Sequence, residues 1–468
     1  MTRPGAVGQA ASRRFLVGAA ITGASLLGAL FLGRAVGQGS VRVVAMLGLL
    51  ALPFIAYVLG RRGMMLLTIG IAPLPMLSHT LSLPLTWVLV AAVAILVLGD
   101  ALLLGSTSWT RLNPWDAFLP ALFLASFFFS EAKSGVSDVQ TAVPQLFAVP
   151  AAVAAYYLAM VTFDSPRWVR RALCALVAGA VATLLLSLVE LAAPSIHLPG
   201  LFSTTAAFQQ LTATGATVNR LSGVLGDYEL LAELLAIAGV ASLWLGATNT
   251  GWRRLLWVLT SFSCVGGIIA TGTRGGIVVY LVGVVLLLVA RGQGRLRQFL
   301  VLACLFGFAL LIAPLPWRGT TQSLLVRFAT TPTSNGLFGF LDRQGIWPVF
   351  LRQFHFDWRL LWGIGPPEFD FRAWGVYPHS IYIYLLYTQG LFGLVPFVAL
   401  LVRSAWPVVA AIRGRTGWTL EAILALLVLL FATDELKIEY MRLYNYELVV
   451  WVLLGLAAAS RRMGKESS

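Results

Sequence analysis

An arginine set among glycines and threonines at the rim of an apolar run is placed to hold an anion. Thr271-Gly272-Thr273-Arg274-Gly275-Gly276 puts one there, between two apolar stretches. A guanidinium at the edge of a bilayer is costly unless it is paired or put to use. Where these residues open the next helix, its first backbone N–H groups and its positive end point the same way as Arg274, with Thr273 and Gly275 in support. The planar fork then suits a phosphate taken bidentately. The same placement fits an interfacial anchor, or an ion pair with Glu190, Glu229 or Glu233.

Two further segments carry titratable side chains. Arg220 to Glu229 ends a long connection and leads into an apolar run that contains Glu233. Glu229 and Glu233 are four apart and share one helix face. Two acids at the mouth of a span suggest a polar cavity with Arg220 as a second cation, although structural pairing with a neighbouring arginine is the more usual role for such acids. The third segment is Tyr377-Pro378-His379-Ser380-Ile381-Tyr382, at the start of a later apolar run. Histidine titrates near neutral pH and so suits proton abstraction, with Tyr382 as a supporting side chain. Helix capping is the alternative for a lone histidine. The nearest approach to the paired carboxylates of a metal site is Glu368-Phe369-Asp370, and chemistry without metal or cofactor is expected.

The elements that must position these residues are membrane helices. Of 468 residues, 59% are hydrophobic and 11% charged, with a mean hydropathy of +0.85, far beyond what a soluble domain hides in its interior. A bilayer core about 30 Å thick needs about 20 apolar residues per helix, and such runs recur along almost the whole chain. Stretches such as Tyr280 to Ala290 and Ala422 to Phe431 are apolar on every side, which excludes the alternating pattern of a barrel. The expected fold is all-α, a single polytopic bundle over residues 1–468 with about 12–14 spans, those at Met64 to Ser78, Gly275 to Ala290 and Leu420 to Thr433 being short. Arg3, Arg13 and Arg14 precede a first uncleaved span, Phe15 to Gly33. The net charge of +14 is no nucleic-acid signal here, because the arginines punctuate the spans. Most of the 33 Lys and Arg fall on alternate connections, which places both termini in the cytoplasm by the positive-inside rule. Cys174, Cys264 and Cys304 lie within apolar runs without ligand spacing and read as core residues. Two connections on the outer side are long: Pro194 to Arg220, and a large loop over 317–378 in which Trp347, Phe350, Phe354 and Trp358 form one aromatic stripe. That stripe fits an interfacial helix or a small packed one.

The order of the three segments resembles the O-antigen ligase and Wzy-type polymerase family. In that family an arginine precedes a Gly-rich start of a span, and a Ser/Thr-Arg-Gly-Gly motif opens a later one. Arg-x-x-x-Trp and Gly-x-Gly stretches follow in the large periplasmic loop, here Arg343 to Trp347 and Gly363-Ile364-Gly365. A His-Asn-x-Tyr-Leu segment then runs into Gly-Leu-x-Gly-Leu, here His379 onward and Gly390 to Leu394. The likeness covers roughly Arg220 to Pro396. Ser380 stands where asparagine is common, and Asp227-Tyr228 where Pro-Asn is common.

The resemblance implies a glycosyltransferase of a bacterial inner membrane with its active site facing the periplasm. The donor would be an undecaprenyl-diphosphate-linked glycan and the acceptor a lipid A core or another glycan, among membrane lipids and without nucleic acid. His379 would be the base, and Arg274, Arg220 and Arg343 the clamps on the leaving diphosphate. Transfer would be inverting. The polymerase variant shares this donor chemistry. A transporter or flippase would instead show broken helices and repeat symmetry, and neither is legible in the sequence.

Overall fold

The computed structural model describes residues 41–74, 85–104, 112–133, 139–192, 207–211, 217–289, 347, 358–365, 378–413, 418–438, 440–442 and 444–466. Of these, 88% are helical. The helices are α1 (Val41–Ile71), α2 (Leu85–Leu104), α3 (Pro114–Lys133), α4 (Val139–Thr162), α5 (Pro166–Ala192), α6 (Tyr228–Thr248), α7 (Gly251–Thr271) and α8 (Arg274–Val289). They continue as α9 (Trp358–Trp362), α10 (Ile381–Ala405), α11 (Pro407–Ile412), α12 (Leu420–Asp434) and α13 (Tyr444–Glu466). Five segments are long and apolar enough to cross a membrane: Ala51–Ile71, Pro166–Val189, Tyr228–Thr248, Gly251–Thr271 and Ile381–Ile412. Thr86–Leu102, Leu146–Thr162 and Arg274–Leu288 are shorter apolar helices. The expected first span, Phe15 to Gly33, lies outside the described residues.

Helix α6 is the axis of the bundle. Apart from Glu229 and Glu233 near its start it is apolar on nearly every side, and such a helix is stable only when surrounded; 89% of its span is buried, against 33% for α7. Asp227 caps it, its Oδ1 accepting from the backbone N–H groups of Glu229 at 2.8 Å and Leu230 at 3.0 Å. Helix α7 turns Trp252, Leu255, Leu256 and Leu259 outward, the face expected of a helix against lipid. Helices α7 and α8 close on α6 through small residues: the free face of Gly276 meets Ala232, and that of Gly239 meets Tyr280 and Cys264.

Three features depart from an all-α bundle of uninterrupted helices, the first a break in α1 at Gly60, where φ is 62° and ψ 178°. The connection before α6 carries an antiparallel hairpin, β1 (Ala207–Leu211) and β2 (Thr217–Leu221), in which Phe208 pairs with Arg220. Its Thr-Val-Asn-Arg alternation and β-branched residues favour a strand over a helical turn. Helix α10 is broken at Gly390, where φ is 66° and ψ −161°. The reason is a close approach of backbones. The turn after α9 runs against the break, and a Cβ on Gly390 would lie 2.4 Å from the backbone nitrogen of Gly363. Ile364 N–H donates to the Tyr387 carbonyl at 2.8 Å and Gly365 N–H to that of Thr388 at 3.0 Å. The carbonyls that the break releases are thereby satisfied.

The helices sort polar residues to two ends. At one end Arg62 pairs with Asp164, Arg61 with Asp100 at 3.2 Å, and Arg403 and Arg461 with Asp116. Arg170 donates to Thr248 at 2.9 Å, and Trp244 Nε1 to the Trp418 carbonyl at 2.9 Å, which ties α5, α6 and the start of α12 to that end. Helices α10 and α13 run toward it and α12 runs away from it. Their other ends gather at the α7–α8 turn and the start of α10, and the hairpin packs on that same turn. Arg61 and Arg62, expected in a connection between spans, directly follow a break in α1 at Gly60.

Candidate functional site

The α7–α8 turn is fixed by a buried arginine. Helix α7 stops at Gly272, whose φ of 65° lets its N–H reach back to the Ile269 carbonyl at 2.9 Å. The last carbonyls of a helix need donors from elsewhere. Arg220, carried in by β2, supplies them: Nε donates to the Thr271 carbonyl at 2.8 Å, and Nη2 to the Gly272 carbonyl and the Thr273 hydroxyl, both at 3.1 Å. Its guanidinium carbon stacks 3.5 Å from the centre of the Tyr228 ring, and the side chain is 3% exposed. Thr273 Oγ1 also donates to the Tyr228 carbonyl at 3.3 Å, closing the turn onto the start of α6. Arg220 therefore holds the turn in shape. Arg274, the first residue of α8, is half-buried beside it.

Gly275 is explained by its neighbour. A Cβ there would fall 1.0 Å from Nζ of Lys437 and 3.1 Å from Oδ1 of Asp434, so the lysine fills the space where a side chain would stand. Lys437 and Asp434 form an ion pair at 2.8 Å, 6% and 0% exposed. Glu233, fully buried one turn into α6, faces Asp434, Lys437, Glu435 and Tyr446. Glu229 is buried in the first turn of the same helix. Of the two acids singled out by spacing, Glu233 thus lies in the wall of a polar cluster. Its other members come from the end of α12 (Asp434), the connection after it (Glu435 and Lys437) and the first turn of α13 (Tyr446). Their signal in the sequence is the run Asp434-Glu435-Leu436-Lys437, three charges in four residues between two apolar stretches.

The same break is latched to the start of α10. Ile381 N–H is shared between the carbonyls of Glu435 and Ile438, each at 3.1 Å, and the Tyr382 hydroxyl donates to the Ala432 carbonyl at 2.6 Å. His379 stands two residues before Ile381. It is exposed and its φ is 45°, making it the one non-glycine residue with positive φ among the described residues. Such a conformation costs on the order of 1 kcal/mol and persists only where its surroundings impose it. Ser380, the N-cap residue of α10, is buried and makes no side-chain cap.

Segment 434–438 is thus the bridge between two sequence-distant motifs. It seats Lys437 on the turn that carries Arg274, and it holds the helix start that carries His379. Helix α8 adds a positive end at Arg274, so two cations and a helix N-terminus converge beside buried acids. An anion at this rim would be drawn to the cations, while an exposed imidazole stands at the same end of the bundle. Arg343, Glu368 and Asp370 lie outside the described residues, as does most of the 317–378 loop. Of the aromatic stripe only Trp347 and Trp358 are described, and Trp358 is exposed beside Lys133, whose Nζ lies 5.2 Å from its ring centre. Among the described residues no three His, Cys, Asp or Glu side chains are grouped to hold a metal ion. No family model matches the chain, and no curated protein matches it.

Proposed function

We propose that this end of the bundle transfers a glycan from a polyprenyl diphosphate to an acceptor hydroxyl, the reaction of the ligase and polymerase family that the motif order resembles. The observation that supports it most is the bridge just described, in which Lys437 packs on the Arg274 turn while its segment latches the helix start after His379. Outside the cytoplasm no nucleotide sugar supplies the leaving group, so the sugar must arrive on one that departs unaided by ATP. A lipid diphosphate does so as a stabilised anion, and it needs positive charge more than a proton donor.

In this reading Arg274 takes the diphosphate, Arg343 is a candidate further clamp, and Arg220 is a positioning residue that shapes the turn. His379 accepts the proton of the acceptor hydroxyl as its oxygen bonds to the anomeric carbon. The bond from that carbon to the phosphate oxygen breaks with its electrons on the diphosphate, inverting the centre. The positive-inside rule assigns the arginine-rich end to the cytoplasm, and the reaction to the opposite, periplasmic side. The acceptor distinguishes the two variants: a lipid A core for a ligase, a growing glycan for a polymerase.

One observation favours a second reading. The broken helix α10 is a feature of transporters, whose substrate sites use backbone freed at such breaks. Here the freed carbonyls of Tyr387 and Thr388 are taken by the turn after α9, so the break serves packing. The deciding experiment offers the purified protein a polyprenyl-diphosphate glycan with each acceptor class and identifies the products by mass spectrometry. Transfer to either acceptor with release of polyprenyl diphosphate is expected. Intact donor in every reaction would end the proposal.

A further inference from the structure

We propose that the arginine-rich end holds a second site, a cavity that binds the phosphate of an anionic lipid headgroup. It is independent of the transfer reaction, because helices α10, α12 and α13 separate the two ends; the 23 residues of α13 alone span about 34 Å. A cavity of about 640 Å³ lies there among the end of α10, the start of α12, the end of α13 and the start of α3. Three arginines line it, Arg403, Arg461 and Arg462, against the two acids Asp116 and Glu421.

The arginines are only partly committed. The buried Asp116 takes Arg403 bidentately, at 2.7 Å from Nε and 3.1 Å from Nη2, and also takes Nη2 of Arg461 at 2.8 Å. One carboxylate thus serves two guanidinium groups. Nε and Nη1 of Arg461 are buried and have no hydrogen-bond partner among the described residues. Buried donors of a charged group are costly when unmatched, and a phosphate oxygen is the acceptor that a guanidinium edge fits best. The apolar part of the wall argues for a lipid as the carrier. Val402 on α10 and Trp406, the residue that caps its end one turn on, line the cavity and are 56% and 67% exposed, so the cavity is continuous with an outward apolar face where acyl chains would lie. A basic pocket between helices with such a mouth is a recognised way of seating an acidic headgroup.

The test uses the full-length protein in nanodiscs of phosphatidylcholine alone or mixed with phosphatidylglycerol, followed by native mass spectrometry of the ejected protein. Retention of phosphatidylglycerol in preference to phosphatidylcholine is expected, with Arg461→Gln lowering it about tenfold, the loss of one charge-assisted contact. Because Arg461 also supports Asp116, Arg462→Gln at the same wall provides a second variant, expected to lower retention about threefold, a smaller loss because its Nη2 is already engaged by the Phe163 carbonyl at 3.3 Å. Equal retention of both lipids by the unaltered protein, or undiminished phosphatidylglycerol in the variants that fold, would overturn the site. A third arm adds inorganic phosphate to delipidated protein and follows its thermal unfolding. Stabilisation by phosphate matching that by phosphatidylglycerol, and lost in the variants, would overturn the lipid as carrier in favour of a soluble anion.

Discussion

Arg220 and Arg274 look alike in the sequence, each a cation near an outer rim, but their surroundings divide the work. Arg220 spends Nε and Nη2 on the turn that carries Arg274, and replacing it by Ala leaves buried carbonyls without donors, at about 1–3 kcal/mol. Arg274→Lys keeps the charge and loses the fork. Under the proposed chemistry it is expected to slow transfer about tenfold or more, read as initial rate on a fixed donor, and an unchanged rate would return Arg274 to the role of an interfacial anchor. His379→Ala is expected to abolish transfer while the protein still inserts and keeps its unfolding temperature, since the imidazole is exposed; wild-type activity would remove it from the mechanism. Gly275→Ala acts differently. Its methyl group would occupy the seat of the Lys437 ammonium, separating it from Asp434 deep in the cluster. A loss of about 3 kcal/mol, seen as a lower midpoint of thermal unfolding, is expected from breaking a buried pair.

At the scale of elements, the break in α10 is the position with the sharpest expectation. Gly390 combines a positive φ with a backbone neighbour at 2.4 Å from any added Cβ. Gly390→Ala must both strain the backbone and push away Gly363, and destabilisation by about 2–4 kcal/mol is expected in a thermal melt. Much of the helical framework could be read in advance, because hydropathy and arginine punctuation follow from the bilayer itself. The segments at Arg220, Arg274 and His379 were legible for a related reason, since charge at a rim is conspicuous against an apolar background. Three things were not. The β hairpin that delivers Arg220 depends on a local alternation too short to stand out, the α10 break depends on the partner backbone of α9, and the role of Lys437 depends on a contact across 162 positions of chain. Gly275 illustrates the limit: in the sequence it reads as room for backbone near a ligand, in the fold as room for a lysine.

For the whole molecule, the division into two polar ends carries a topological expectation. With the native cysteines replaced by serine, a cysteine at the exposed position of His379 is expected to react with an impermeant maleimide in intact cells. One at Arg413, exposed at the opposite end, is expected to react only after permeabilisation. Reversed labelling would place the polar cluster in the cytosol and overturn the proposed sidedness of transfer. Helix α12 adds a dimension to this picture. Its 15 residues rise only about 22 Å, short of a hydrocarbon core about 30 Å thick. With Thr419 at the arginine-rich end, the helix's last residue Asp434 and the adjoining Glu435 are wholly buried, so the cluster lies recessed within the bundle. Under the proposed chemistry a sugar delivered to such a recess meets few water molecules, and side hydrolysis of the activated donor is expected to be slow relative to its passage to an acceptor.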